Sequence, residues 1–148
     1  MIYVKASTLN DFYNTNIYSI FPVAKHIHSL NIDKRLKDKD QKLVNDIALV
    51  NLNGKFISFC SFATKYCSHH DPINYPIYDI YVEKILMEFN KRDRFQYFRK
   101  VDLKDFQRFK SIIIDCKHYY ILEEYYLKDI DRFLWQLGKN LYPRKYQY

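Results

Sequence analysis

Only two glycines, Gly54 and Gly138, and four prolines serve a chain of 148 residues. Tight strand-to-strand turns consume glycine, because their central residues need positive φ. An all-β domain of this length would need many more such positions. The apolar periodicity is helical instead. Leu43, Ile47 and Val50 recur at i, i+4 and i+7, as do Val82, Ile85, Leu86 and Phe89. Phe106, Phe109, Ile112, Ile113 and Cys116 form a third stripe, and Ile130, Phe133, Leu134 and Leu137 a fourth, with Trp135 expected in the core beside them. The pattern predicts an all-α chain, a compact single-domain helical bundle over residues 1–148.

Start and stop signals divide it. Ser7 precedes a short helix to about Tyr13, and a second runs from about Ile17 to Leu30. Asn31 and Asp38 can cap the next helical stretch, which reaches Val50. Asn51-Leu-Asn-Gly54 reads as a turn, and a helix covers about Ser58–His70. Asp71-Pro-Ile-Asn-Tyr-Pro76 is a loop, since its prolines remove donors and push their neighbours out of the α region. Asp79 caps a helix over about 80–91 and Asp102 one over about 103–119. Leu127–Leu137 closes the set, with Gly138 as its C′ residue. Residues 91–101 are left as loop or short helix.

Charge and cysteine content narrow the function classes. The net charge is +7, and the pI is near 9.2, which suits a polyanionic partner such as nucleic acid. Phe, Tyr, Met, Ile, Asn and Lys, all with AT-rich codons, make up nearly half the chain, so part of that charge is compositional. Cys60, Cys67 and Cys116 cannot form a paired framework, and there is no CxxC; they read as thiols of a reducing, cytoplasmic compartment. The opening Met-Ile-Tyr-Val-Lys lacks an apolar h-region, so no signal peptide is expected. Nor does any stretch approach the roughly 20 apolar residues of a membrane span. Cys67-Ser-His69-His70-Asp71 offers metal-capable types, but adjacent residues at a helix end converge poorly, so neither metal nor cofactor is expected.

The block from Phe59 to Val82 carries the chemistry. Lys65 falls mid-helix among Phe62, Ala63, Tyr66 and Cys67. Desolvation disfavours a charged ammonium, which is how lysines become nucleophiles near neutral pH. Asp79 stands at a helix N-terminus, where free backbone N–H groups stabilise a carboxylate that could face a developing cation. The commoner roles are a snorkelling lysine and a plain N-cap.

A helix, a Gly-containing hairpin, a helix carrying Ala63-Thr64-Lys65, and then Pro76-Ile77-Tyr78-Asp79 resembles the helix-hairpin-helix DNA glycosylases, in their 8-oxoguanine DNA glycosylase-like branch. Residues 38–90 are the helix-hairpin-helix-like segment of this resemblance, and Asp129–Lys139 is similar to a closing helix of small bacterial members. It implies a Lys65 Schiff base, Asp79 stabilising the sugar cation, and Asn51, Asn53, Gly54 and Lys55 on backbone phosphate. Tyr66, His69, Tyr75 and Tyr78 are the expected pocket residues, and the partner is double-stranded DNA. A second copy of the chain completing the cleft stays open. The alternatives are a non-catalytic helical DNA-binding module and a helical protein-interaction adaptor. Arg92, Arg94, Arg99 and Lys100, interleaved with Phe95, Tyr97 and Phe98, suit either nucleic acid or a solvated connector.

Overall fold

A computed structural model describes residues 1–143 of the chain. Among the described residues there are eight α-helices, one 3-10 turn and one two-stranded ribbon, so the chain is mostly helical. Its residues group into two compact units, Met1–Tyr75 and a second beginning at Pro76.

The first unit holds α1 (Ile2–Phe12), α2 (Ile20–Ser29), α3 (Ile32–Lys37), α4 (Lys42–Ala48), β1 (Leu49–Leu52), β2 (Lys55–Ser58) and α5 (Cys60–His70). Helix α1 packs on α2, and α4 on α5. The buried side chains are Ala6 and Leu9 of α1, Val23, Ala24 and Ile27 of α2, and Leu43, Val44 and Ile47 of α4. Helix α1 begins well before Ser7, and Ile17 lies buried in the α1–α2 loop rather than opening α2. Asn10 fixes that loop: its side-chain carbonyl accepts from the Ile17 N–H at 3.0 Å and the Thr15 hydroxyl at 2.7 Å, and its amide donates to the Ile17 carbonyl.

One capping expectation changes here. Asp38 ends α3 rather than starting α4; Asp40 takes the cap role, accepting the Lys42 N–H at 2.9 Å. Arg35 explains the preference, because it binds Asp40 at 2.8 Å and Asp46 at 2.6 Å and so anchors that turn. Hydrogen bonding to Arg35 holds the Asp40 carboxyl below its ordinary range.

The helix expected to reach Val50 stops at Ala48, and residues 49–58 form an antiparallel ribbon with Leu52 opposite Lys55. Asn53 and Gly54 have φ of 53° and 84°. Two positive φ values in a two-residue loop make a primed turn whose twist matches that of paired strands. Val50 is the buried residue of β1, and β2 is exposed along its length.

The second unit comprises α6 (Ile80–Asp93), a 3-10 turn (Lys100–Lys104), α7 (Phe106–Tyr119) and α8 (Leu127–Leu141). Asp79 caps α6 as expected. Asp102 lies inside the 3-10 turn, and Asp105 caps α7 by accepting the Arg108 N–H at 2.9 Å. The α7 stripe Phe106, Phe109, Ile112, Ile113 and Cys116 is buried throughout. In α8, Ile130 and Leu134 are buried, whereas Phe133 and Trp135 are exposed. Gly138 is not a C′ residue. It sits inside α8, where an added Cβ would stand 2.7 Å from the Tyr81 Cβ and 2.8 Å from the Tyr81 carbonyl oxygen. Glycine here lets α8 cross α6 closely.

Among the described residues no helix is long and apolar enough to cross a membrane.

Candidate active site around Lys65

Helix α5 is buried almost all round: Cys60 and every residue from Phe62 to Ser68 are buried. A helix of that kind normally carries apolar residues on each face. This one carries a polar stripe, Ser61, Thr64, Lys65 and Ser68, at the spacing of one helical face. Lys65 is 7% exposed. Its ammonium donates to the Ser61 hydroxyl at 3.0 Å, one turn earlier. It also lies 5.3 Å from the centre of the Tyr13 ring, within the range of a cation–π contact. Tyr13 ends α1, and its N–H donates to the Leu9 carbonyl at 3.0 Å. Thr64 turns its hydroxyl back to the Ser61 carbonyl at 3.0 Å. The amine is thus aimed from two sides, by a hydroxyl and by an aromatic face.

The other expected residues of the first unit separate into different roles. Tyr66 is fully buried, its ring 6.0 Å from Phe62 and 5.2 Å from His70, and its hydroxyl has no hydrogen-bond partner. Burial pushes its phenol up to about 12. Tyr75 is also fully buried and donates to the Asp40 carbonyl at 3.2 Å, so it pins the loop after α5. His69 is exposed at the helix end. His70 lines a cleft of about 350 Å³ together with Asp33, Leu36, Lys37, Lys39 and Asp71. Its buried Nε2 has no partner, and burial lowers its affinity for a proton, helped by Lys5 and His69. Asn51, Asn53, Gly54 and Lys55 are all exposed on the ribbon. The Gly54 N–H is already engaged, donating to the Asn51 side-chain oxygen at 2.9 Å. That donor serves the turn rather than a phosphate.

In the second unit Asp79 is half-buried and accepts the Tyr81 N–H at 3.0 Å. Tyr78 is buried edge-on against Phe109, with ring centres 5.7 Å apart. Its hydroxyl donates to Glu83 and accepts from Lys104, whose ammonium also lies 4.3 Å from the centre of the same ring. The structure therefore groups Lys65 with Ser61 and Tyr13, and Tyr78 with Glu83 and Lys104.

The second unit also buries two acids, Glu83 and Asp131. Glu83 is 1% exposed and meets Lys100 at 2.9 Å and Lys104 at 3.8 Å. Asp131, 3% exposed, accepts the Ile77 N–H at 2.7 Å and faces Lys128 at 3.4 Å. Burial raises Asp131 to about 6 and lowers Lys128, so desolvation outweighs the attraction within this pair. The available signal was an acid set beside an apolar stripe, Glu83 next to Val82 and Asp131 next to Ile130. Burial pushes the Cys67 and Cys116 thiols up to about 12, which disfavours their thiolates. Among the described residues no three His, Cys, Asp or Glu side chains are grouped to hold a metal ion.

Residues 1–74 match the HI_0787_N family model, described as an N-terminal domain. The match ends where the first compact unit ends. An uncharacterized protein of Haemophilus influenzae is 48% identical over 136 residues, covering 91% of this chain. The chain spans 65% of that relative's length. No solved structure matches the chain.

Proposed function

The chain belongs to the HI_0787_N family, and we propose that it is a small lysine-dependent DNA glycosylase or abasic-site lyase acting on a flipped-out damaged or modified base. The burial of Lys65 carries this reading. Lysine is among the side chains least often buried, so a lysine at 7% exposure, its amine held by a hydroxyl and an aromatic face, marks a position kept for that amine. A purely structural side chain at this position would be better served by leucine or methionine. The hydroxyl of Ser61 and the face of Tyr13 keep the amine in one direction, which a nucleophile needs and a packing residue does not.

Lys65 Nζ attacks C1′ of the target deoxynucleotide through its lone pair. The bond from C1′ to the base breaks as the Nζ–C1′ bond forms, and the departing base takes up a proton. Opening of the sugar leaves an imine between Lys65 and C1′, with O4′ protonated. Removal of a C2′ proton then expels the 3′ phosphate, and water hydrolyses the imine to free the lysine. The nucleotide must leave the stack for C1′ to be reached. The resemblance to helix-hairpin-helix glycosylases assigns Asp79 to the oxocarbenium-like sugar. It also assigns the order α4, ribbon, α5 to the helix, hairpin and helix of residues 38–90, with Lys55 meeting phosphate. The free, buried thiols suit a reducing cytoplasm.

The test is strand cleavage of a duplex holding one abasic site. Wild type should cleave it and Lys65→Met should not, with duplex affinity unchanged. Full cleavage by Lys65→Met would remove the assigned nucleophile. The second reading is a non-catalytic helical DNA-binding module. In that reading the Ser61 and Tyr13 contacts hold Lys65 as a scaffold residue, and the exposed Lys55 meets phosphate.

A further inference from the structure

Residues 91–110 hold eight of the chain's lysines and arginines against three aspartates, which is five of its seven net positive charges. All three aspartates are engaged locally. Asp93 binds Arg92 at 2.6 Å, Asp102 accepts the Arg99 N–H at 2.7 Å, and Asp105 caps α7. Arg94, Arg99, Lys100, Lys104 and Arg108 are exposed around them. Arg99 also reaches Asp102 at 3.5 Å, and Lys100 and Lys104 share the buried Glu83 at 2.9 and 3.8 Å, so three of these cations meet two acids and a net positive face remains. The segment joining α6 to the 3-10 turn is fixed from inside. Phe98 is buried with its ring 5.9 Å from that of Phe95, and Phe95 lies 6.1 Å from the Tyr119 ring. Arg94 adopts the left-handed conformation that ends α6, and the Gln96 N–H donates to the Asn90 side chain at 3.2 Å. The outcome of this ordering is one aromatic side chain turned outward: Tyr97 is 89% exposed, between Arg94 and Arg99.

From this we infer that residues 94–108 form a docking surface for single-stranded nucleic acid, with phosphates on Arg94, Arg99 and Lys100 and a base stacked on Tyr97. Cations alone would serve a duplex equally well. A solvent-facing ring on a fixed segment, with an arginine on either side in sequence, adds a platform that only an unpaired base can use. The surface stands whether or not Lys65 reacts with DNA, and it lies apart in sequence from the ribbon residues 51–55.

The experiment is fluorescence anisotropy of the whole chain with a labelled oligothymidine of ~20 nucleotides and with a duplex of equal length, at several salt concentrations. Tyr97→Ala should weaken single-strand binding about tenfold and leave duplex binding nearly unchanged. Arg94→Gln with Arg99→Gln should reduce the single-strand salt slope by ~1.4, the release of counterions from two phosphates. A control pair in the first unit, Lys37→Gln with Lys39→Gln, should leave the slope as it is. The inference is overturned by single-strand affinity indifferent to Tyr97, or by equal slope changes in the two charge variants. It is also overturned if phosphatidylserine vesicles, and not the oligonucleotide, depend on Tyr97.

Discussion

Gly138→Ala tests the packing of the second unit most sharply, because two opposing effects meet in one methyl group. In an exposed helix interior the exchange stabilises by about 1 kcal/mol, since alanine loses less backbone entropy. Here the new Cβ would lie 2.7 Å from the Tyr81 Cβ and 2.8 Å from its carbonyl oxygen. Non-bonded carbons settle at about 3.5–4.0 Å, so the helices must separate by most of an ångström or deform. Tyr81 cannot yield alone: the contact is with its backbone and Cβ, and its N–H is held by Asp79. Overpacking of this kind costs typically 1–3 kcal/mol. The net effect is a destabilisation of up to about 2 kcal/mol, read in urea from the fluorescence of Trp135, the single tryptophan, on α8 itself. Gly138→Asn separates a close crossing from a helix-ending role. A C′ position tolerates asparagine better than alanine, whereas a close crossing penalises the larger side chain more. A Gly138→Ala protein more stable than wild type by the ~1 kcal/mol of an open helix site, or an asparagine variant more stable than the alanine one, would refute the crossing.

Other expectations rest on single groups. Asp131 is raised to about 6 in the folded chain from an ordinary 3.8. The folded form therefore holds this proton more tightly, and the stability it contributes is complete below pH ~4 and lost as pH rises through 6, amounting to ~3 kcal/mol at most. Asp131→Asn keeps an acceptor for the Ile77 N–H, so urea midpoints at several pH values should show that slope flattened; an unchanged slope would mean another group causes it. Tyr66→Phe removes a buried hydroxyl without a partner and should leave stability equal or raise it by about 1 kcal/mol; a loss of that size in a urea melt would show that the hydroxyl is used. Gly54→Ala meets no steric contact but must hold φ at +84°, at a cost of about 1–2 kcal/mol. Local opening should appear as faster amide exchange along residues 49–58, and unchanged exchange there would contradict the primed turn.

Helix positions were legible wherever the signal was local. The α7 stripe names its own core, and Asp79 caps α6 because an acid before an apolar run has a donor waiting within two residues. The ribbon was hidden by a coincidence: Val50 completes a helical stripe with Leu43 and Ile47, although Asn53-Gly54 is itself a strong hairpin signal. Gly138 was misplaced because its reason lies on another helix. The surroundings of Lys65 were half legible. Its apolar neighbours on α5 could be counted, but Tyr13 lies some fifty residues away in the chain, and no spacing rule connects them. The buried acids Glu83 and Asp131 depend in the same way on which face each helix turns inward.

The proposed chemistry turns on a covalent bond from Lys65 to an opened sugar. The direct measurement is borohydride trapping on duplex DNA with one abasic site, with peptide mapping of the reduced adduct. Wild type and Lys91→Ala, an exposed-lysine control, should form the adduct at Lys65. Lys65→Met should form none. An adduct on another lysine, or one formed equally by Lys65→Met, would contradict this chemistry.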